Sequence, residues 1–486
     1  MALDYDLSSI QEARDLARKA KEAQKILADF NQEQIDRIVA AMCDAAVENA
    51  EGLARMAVDE TKFGIFEDKV KKNLFSAKNV YNYIKDMNTI GILNEDAGQK
   101  VIEVGAPMGV VMGIIPSTNP TSTTIYKALV SIKAGNAIVF APHPNACRCI
   151  NAAAQVVHEA AVKAGAPEGV IGCLSKVTMA ATNELMHHDD IGVILATGGP
   201  GMVKAAYSAG KPAYGVGAGN APVFIERSAN IKKAVSDIIT GKTFDNGVIC
   251  ASENSILVDE PIKDKVVAEL KAQGAYMLSK EEVEKVSRAV MTPKGGMNAA
   301  LVGKGPKVIA NKAGIDIPEG TRVLIAPLEG YGPGFPLSYE KLTTVLAFYV
   351  VKNWEEACRL AIELLNLMGA GHTFAIHSQD DEIIREFIRK PVSRILVNTP
   401  SSLGGIGLTT GLAPSLTLGC GTMAGSSTSD NVTPMHLINI KRLAYRIDDY
   451  IGAPSNTCAG DDINPDKIAD IVKQVLLGLG KTANDN

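Results

Sequence analysis

Apolar positions between residues 8 and 60 recur at helical spacing: Ile10, Ala13, Leu16, Ala17 and Ala20, then Ile35, Ile38, Val39 and Met42. Side chains three and four apart share one helix face, so this stretch predicts amphipathic helices. From about residue 101 the texture changes to short, continuously apolar runs at 110–116, 137–141, 170–174, 191–196 and 222–225. Helical patterns lie between them, including 121–133 and 145–163. Apolar strands alternating with helices predict a parallel sheet covered on both faces. Such sheets bind ligands at the carboxyl ends of their strands. Three loops leaving those ends have unusual composition: Pro116-Ser117-Thr118-Asn119-Pro120, Ala141-Pro142-His143-Pro144 and Thr197-Gly198-Gly199-Pro200-Gly201. A second run of α/β texture covers about 253–425, with apolar runs at 323–326, 344–351 and 396–398 and helical patterns near 355–366 and 380–389. It predicts a second domain.

Composition narrows the class. A chain of 486 residues exceeds one ordinary core, and two substantial domains are the natural expectation. The formal charge of −5 argues against a nucleic-acid partner, which would need a basic stripe. No apolar run reaches the roughly 18 residues of a membrane span. The first residues, Met1-Ala2-Leu3-Asp4-Tyr5-Asp6, lack the basic and apolar regions of a secretory leader. Eight scattered cysteines fit reduced thiols in the cytoplasm. Cys147 and Cys149 have the wrong spacing for a zinc knuckle, and no metal site is expected.

Cys250 is the candidate nucleophile. It follows a helical pattern near 230–240 and sits in the small, glycine-containing stretch 244–252. A thiolate is a strong nucleophile, and local hydrogen-bond donors are expected to lower its pKa from the free value of about 8.5. The competing reading is a small buried hydrophobe. The Thr197–Gly201 loop has two readings as well. It opens a helix at about Gly201, where small residues admit a phosphate or ribose. It also fits a mere tight turn, since it is neither a G-x-G-x-x-G fingerprint nor a P-loop.

Several segments together resemble the aldehyde dehydrogenase superfamily, and within it the CoA-acylating branch found in bifunctional alcohol/aldehyde dehydrogenases. They are the loop holding Asn119, then 127–144 (KALVSIKAGNAIVFAPHP), Thr197-Gly198-Gly199 and 215–222 (GVGAGNAP). They continue with 246–252, Glu340-Lys341-Leu342, 369–377 (GAGHTFAIH), 398–407 (NTPSSLGGIG) and 416–440, so that the match runs from about residue 10 to 446. The resemblance implies a Rossmann-type cofactor domain over 1–240, completed by about 426–446, and a second α/β catalytic domain over 241–425. It makes Cys250 the residue that carries a thioester, and it makes the Asn119 amide and the Cys250 N–H the oxyanion hole. Thr118, Pro142, His143, Pro144, Thr197, Gly198, Gly199, Gly219, Glu340 and Leu342 are placed around NAD or NADP, with Glu340 on the ribose near the nicotinamide. His372 is a candidate acid/base for the CoA thiol, since a histidine titrating near neutrality suits proton transfer. The segment 416–440 implies a homodimer or homotetramer.

Two departures from the family pattern carry information. Hydrolytic members have a water-activating glutamate in an E-L-G-G segment, and here that segment reads Val216-Gly217-Ala218-Gly219. They also have a lysine for the adenosine ribose, where this chain has Ala141. Both departures imply acyl transfer to CoA; the resemblance and the C-terminal tail imply a small aldehyde, acetaldehyde first, with sulfoacetaldehyde and succinate semialdehyde as alternatives. A hydrolytic dehydrogenase and a non-catalytic nucleotide-binding scaffold are the rivals. After the match ends, Gly452, Pro454, Ser455, Asn456 and Gly460 mark a linker within 447–486. Asn464 and Pro465 then open a helical pattern over 464–480 with Ile468, Ile471, Val472, Val475 and Leu479 on one side. This tail resembles the encapsulation peptides of bacterial microcompartment enzymes, which implies shell proteins as partners. A helix folding back on its own subunit is the alternative.

Overall fold

The computed structural model describes residues 4–292, 296–447 and residue 470. The tail helix expected over 464–480 lies outside the described residues except for Asp470. Among the described residues no helix is long and apolar enough to cross a membrane. The chain divides into two compact units, the larger being Met1–Leu93 with Val104–Lys441 and the smaller Asn94–Glu103 with Arg442–Asn486. Within the smaller unit Arg442 Nε donates to Glu103 Oε1 at 3.0 Å. The five-stranded and seven-stranded sheets described below, and the candidate site, belong to the larger unit.

The strands, in chain order, are β1 (Gly91–Asp96), β2 (Val101–Pro107), β3 (Val110–Ile115), β4 (Ala137–Pro142), β5 (Ile171–Cys173), β6 (Ile191–Thr197), β7 (Ala213–Val216), β8 (Ala221–Ile225), β9 (Glu253–Asp259), β10 (Ala275–Met277), β11 (Val323–Pro327), β12 (Val345–Val351), β13 (Gly371–His377), β14 (Val392–Val397) and β15 (Ile438–Ala444). They form a three-stranded sheet β1-β2-β15, a five-stranded sheet β5-β4-β3-β6-β7 and a seven-stranded sheet β10-β11-β12-β9-β8-β13-β14. The five-stranded sheet is parallel throughout. Its order is the doubly wound one, and it reverses direction between β3 and β6, where a crevice opens at the carboxyl ends. Lys127 lies on the buried helix Pro120–Lys133, and its Nζ donates at 2.8 Å to both Ile114 O and Leu195 O, so it ties β3 to β6 at that point.

The sequence pattern explains the layers. Asn31 and Gln34 form a reciprocal capping box that starts the helix Gln32–Glu48, which buries Ile35, Ile38, Val39, Met42, Cys43 and Ala46. Strands β3 and β4 are buried at every position, as their unbroken apolar runs require. In the seven-stranded sheet successive residues feed two cores: Val223, Ile256 and Val258 face one, Phe224 and Leu257 the other. One expectation fails here. The run 222–225 reads as a continuation of the first sheet, yet β8 pairs with β13 and β9 in the second. The passage between sheets is therefore the short link 217–220. Periodicity could not reveal this, because a strand buried on both faces looks the same in either sheet.

Candidate active site

Strands β12, β9, β8 and β13 are neighbours and parallel, so their amino ends lie along one sheet edge. Glu340 precedes β12, Cys250 precedes β9, Gly219 precedes β8, and His372 is the second residue of β13. Four candidates far apart in sequence are brought together by register alone. The link 217–220 joins this edge to the carboxyl end of β7.

The nucleophile loop is strained and held. After the helix Ile231–Thr243, Asp245, Asn246 and Gly247 take φ values of 49°, 55° and 73°. Three successive left-handed residues, two of them not glycine, persist only where surroundings enforce them. Asp245 Oδ1 accepts from Ile65 N at 2.7 Å, and Asn246 Nδ2 donates to Gly303 O at 2.9 Å. At Gly247 a side chain would meet Thr343 O at 2.9 Å as well as an unfavourable φ. The turn buries Val248 and Ile249 and leaves Cys250 half-buried. A Cβ on Gly219 would sit 1.7 Å from Cys250 O, so only glycine lets the two backbones approach this closely.

The Cys250 thiol is pushed up to about 12 by burial, then by the Glu340 carboxylate and the Cys420 sulfur, against the pull of Arg394 and of its own N–H. This corrects the expected lowering: the donors are present, but desolvation outweighs them. The free enzyme therefore holds a neutral thiol. Inactivation by iodoacetamide should accelerate about tenfold per pH unit from pH 7 to 9 without a plateau, because only the thiolate reacts. A plateau below pH 8 would contradict that environment.

Asn119 ends the loop after β3 and occupies the N-cap position of the helix Pro120–Lys133, yet its side chain makes no capping hydrogen bond. A turn-forming asparagine would spend its side chain there. Instead Oδ1 accepts from Lys72 Nζ at 2.6 Å, and Nδ2 donates to Thr118 Oγ1 at 3.2 Å. An amide has two N–H donors, so Thr118 takes one of them. Lys72 and Lys69 stand one turn apart on the helix Phe66–Leu74. Both Nζ groups also donate to Asp245 Oδ2, Lys69 at 2.8 Å, and Lys69 reaches Thr118 O at 2.9 Å. All three charged side chains are at most 2% exposed. Burial lowers Lys72 to about 7 against the pull of Asp245.

His372 departs from its expectation. It is buried, and desolvation followed by Arg394 lowers its pKa to about 3. It is a neutral imidazole at pH 7, able to accept a proton but not to store one. Its Nδ1 pairs with Thr373 Oγ1 at 2.7 Å, while Nε2 is buried with no protein partner among the described residues. With Nδ1–H donating to Thr373, the Nε2 lone pair is the available base. Glu340 is half-buried, its pKa is raised by desolvation, and its Oε1 accepts from Gly219 N at 2.6 Å. The structure thus sets Glu340 near Cys250 and engaged with Gly219.

Of the remaining cofactor candidates, Thr118, Pro142, His143, Pro144, Thr197, Gly198 and Gly199 lie at the first sheet's carboxyl ends, whereas Leu342 precedes β12 in the second sheet. Thr118 follows β3, Pro142 closes β4, and His143 Nδ1 accepts from Asn145 N at 3.1 Å ahead of the turn Pro144–Ala146. Thr197 ends β6, Gly198 N donates to Val216 O at 3.3 Å, and Gly199 precedes the helix Pro200–Tyr207. A Cβ on Gly199 would meet nothing within 4 Å, so open space lies over that helix start. The crevice, the helix N-terminus and that space fit a dinucleotide diphosphate. Leu342 is held through its backbone, with N–H to Met297 Sδ at 3.2 Å and its carbonyl accepting from Gly303 N at 2.8 Å. Gly219 packs against Cys250 and is placed by the nucleophile loop.

Lys69, Lys72, Asp245, Arg394 and Cys420 escaped the sequence reading. The lysines sit in Lys69-Val70-Lys71-Lys72, which reads as a solvated helix face. Only Asp245-Asn246-Gly247, a strong turn signal just ahead of Cys250, pointed to the network.

These features define an enzyme-like site of the aldehyde dehydrogenase class. The aldehyde dehydrogenase family profile matches residues 3–288, and the chain belongs to that family. It is 46% identical over 451 residues to the bifunctional aldehyde-alcohol dehydrogenase AdhE of Escherichia coli K12, covering 92% of this chain and 50% of that protein. The chain thus spans about half the length of that relative. It is 40% identical to the succinate-semialdehyde dehydrogenase (acetylating) of Clostridium kluyveri over 433 residues, 89% of this chain and 95% of that one. The crystal structure of an acetylating aldehyde dehydrogenase from Geobacillus thermoglucosidasius superposes with a TM-score of 0.91 at 56% identity, covering 93% of this chain and all of that one.

Proposed function

We propose that the protein is a CoA-acylating aldehyde dehydrogenase that converts a small aldehyde, acetaldehyde first, to its acyl-CoA with NAD or NADP as hydride acceptor. The observation that carries this reading is the residue at the position where hydrolytic relatives have their base. Val216, which stands at the glutamate position, is buried in the apolar core.

Cys250 gives up its thiol proton to solvent, and the thiolate fraction attacks the carbonyl carbon to create an oxyanion, which the Asn119 Nδ2–H and the Cys250 N–H stabilise. Nicotinamide, when bound, accepts the hydride. Loss of hydride from the adduct leaves a thioester on Cys250. Neutral His372 accepts the CoA thiol proton at Nε2, the CoA sulfur attacks the thioester carbonyl, and Cys250 departs. The same steps run in reverse from acyl-CoA.

The uncharged substrate is favoured by Arg394. It is the cation acting on Cys250, but its guanidinium already donates to three carbonyls: His372 O at 3.1 Å, Gly419 O at 2.5 Å and Ser429 O at 3.2 Å. A carboxylate or sulfonate tail would compete with those bonds. In a panel with CoA present, acetaldehyde should exceed succinate semialdehyde and sulfoacetaldehyde by about tenfold or more in kcat/KM. The reverse order would show that an anion-binding group operates.

The assembly belongs to the same reading: a cytoplasmic homodimer or homotetramer, delivered to a microcompartment by residues 464–480 docking on shell proteins. Deleting 455–486 should leave catalysis nearly intact and abolish co-localisation with shells. Loss of folding on truncation would assign the tail to the enzyme's own core.

A further inference from the structure

We infer that Lys72, anchored on Asp245, is a positioning residue that fixes the orientation of the Asn119 amide and couples the oxyanion donor to the nucleophile loop. The inference rests on the oxyanion role given to Asn119 above.

An asparagine amide fits its site almost equally well in two orientations related by a half-turn. Only one presents Nδ2–H to the reacting carbonyl. In the other, Oδ1 faces the developing negative charge and repels it. Lys72 Nζ, 2.6 Å from Oδ1, decides between them. A flipped amide would set N–H against the lysine's own donors and give up a charge-assisted bond, the stronger class of hydrogen bond. The same contact polarises the amide and strengthens donation from Nδ2.

Lys72 could not do this if its head were free to move. Its second contact is Asp245 Oδ2, and the side chain is 1% exposed. Asp245 is in turn held by Ile65 N and by Lys69, which also grips Thr118 O, the carbonyl just ahead of Asn119. Two lysines therefore bridge one carboxylate in the nucleophile loop to two successive residues of the oxyanion loop. One lysine would neutralise Asp245. The second places its Nζ at the oxygen end of the Asn119 amide, which leaves the Nδ2 end for the reacting carbonyl.

The test is a double-mutant cycle on the full-length enzyme, read as single-turnover hydride transfer at saturating acetaldehyde and NAD. Asn119→Ala should slow that step about 100- to 1000-fold, as loss of one oxyanion donor does. Lys72→Met should slow it about tenfold or more, with KM within about twofold of wild type, because the residue acts only as charge develops. The double variant should be no slower than Asn119→Ala, since Lys72 has nothing left to orient. Iodoacetamide reactivity of Cys250 should change little in Lys72→Met, which separates the donor from the nucleophile. Lys72→Gln keeps an N–H donor, should fall between wild type and Lys72→Met, and carries the test if Lys72→Met does not fold. Near-wild-type rates for Asn119→Ala would overturn the oxyanion role and this inference with it. A large Asn119→Ala loss combined with a Lys72 loss that multiplies it would overturn the inference alone.

Discussion

Replacing Cys250 by alanine should lower aldehyde-dependent reduction of the cofactor by at least about ten-thousand-fold, because its sulfur carries the covalent step. Cys420 is the other sulfur acting on the site, but it is buried in the core and its thiol donates to Leu418 O at 3.4 Å. The substitution removes one small side chain from a half-buried position, and the turn upstream is held by Asp245 and Asn246, so the melting temperature should stay within a few degrees. Cofactor affinity should persist, since the crevice at β3 and β6 is untouched. Steady-state turnover and cofactor titration on the same preparation check both halves. Turnover above about a hundredth of wild type would place the nucleophile elsewhere.

Leaving CoA out should be nearly as severe. With aldehyde and oxidised cofactor, reduced cofactor should form in a burst of about one per active site and then stall, at least about 100-fold below the complete reaction. Water needs a base to attack a thioester at neutral pH. Val216 offers an apolar side chain directed into the core, and Gly219 is pressed on Cys250 with no room for a side chain. Glu340 acts on Cys250, but its Oε1 is engaged by Gly219 N. Rapid-mixing absorbance of the reduced cofactor reads burst and stall in one trace. Steady carboxylic-acid formation at the CoA-dependent rate would restore the hydrolytic alternative.

Much of this architecture is legible in the chain because its strands are buried on both faces. The runs at 110–116, 137–141 and 191–196 stand out against the flanking helices, and the loops after them hold Asn119, His143 and Thr197–Gly199. Strand β13 is harder to see, since His372, Thr373 and His377 interrupt its apolar run even though all three are buried. The membership of β8 is set by pairing, which periodicity does not encode. Ionisation is the least legible property. Residue type and neighbours suggest a lowered thiol at Cys250 and a near-neutral imidazole at His372, whereas burial pushes the first pKa up and the second down. The lysine pair was hidden because buried and solvated lysines are spelled alike; only packing of the helix Phe66–Leu74 under the oxyanion loop distinguishes them.

On the proposed mechanism the acyl group rests on Cys250 until a thiol removes it. Mass spectrometry of the intact protein and its peptides, after incubation with acetaldehyde and NAD without CoA, tests this most directly. One acetyl group per chain is expected, on the peptide holding Cys250, lost within seconds of adding CoA and matched by acetyl-CoA in solution. An unmodified Cys250 peptide during the stall, or an acetyl group that CoA does not remove, would contradict it.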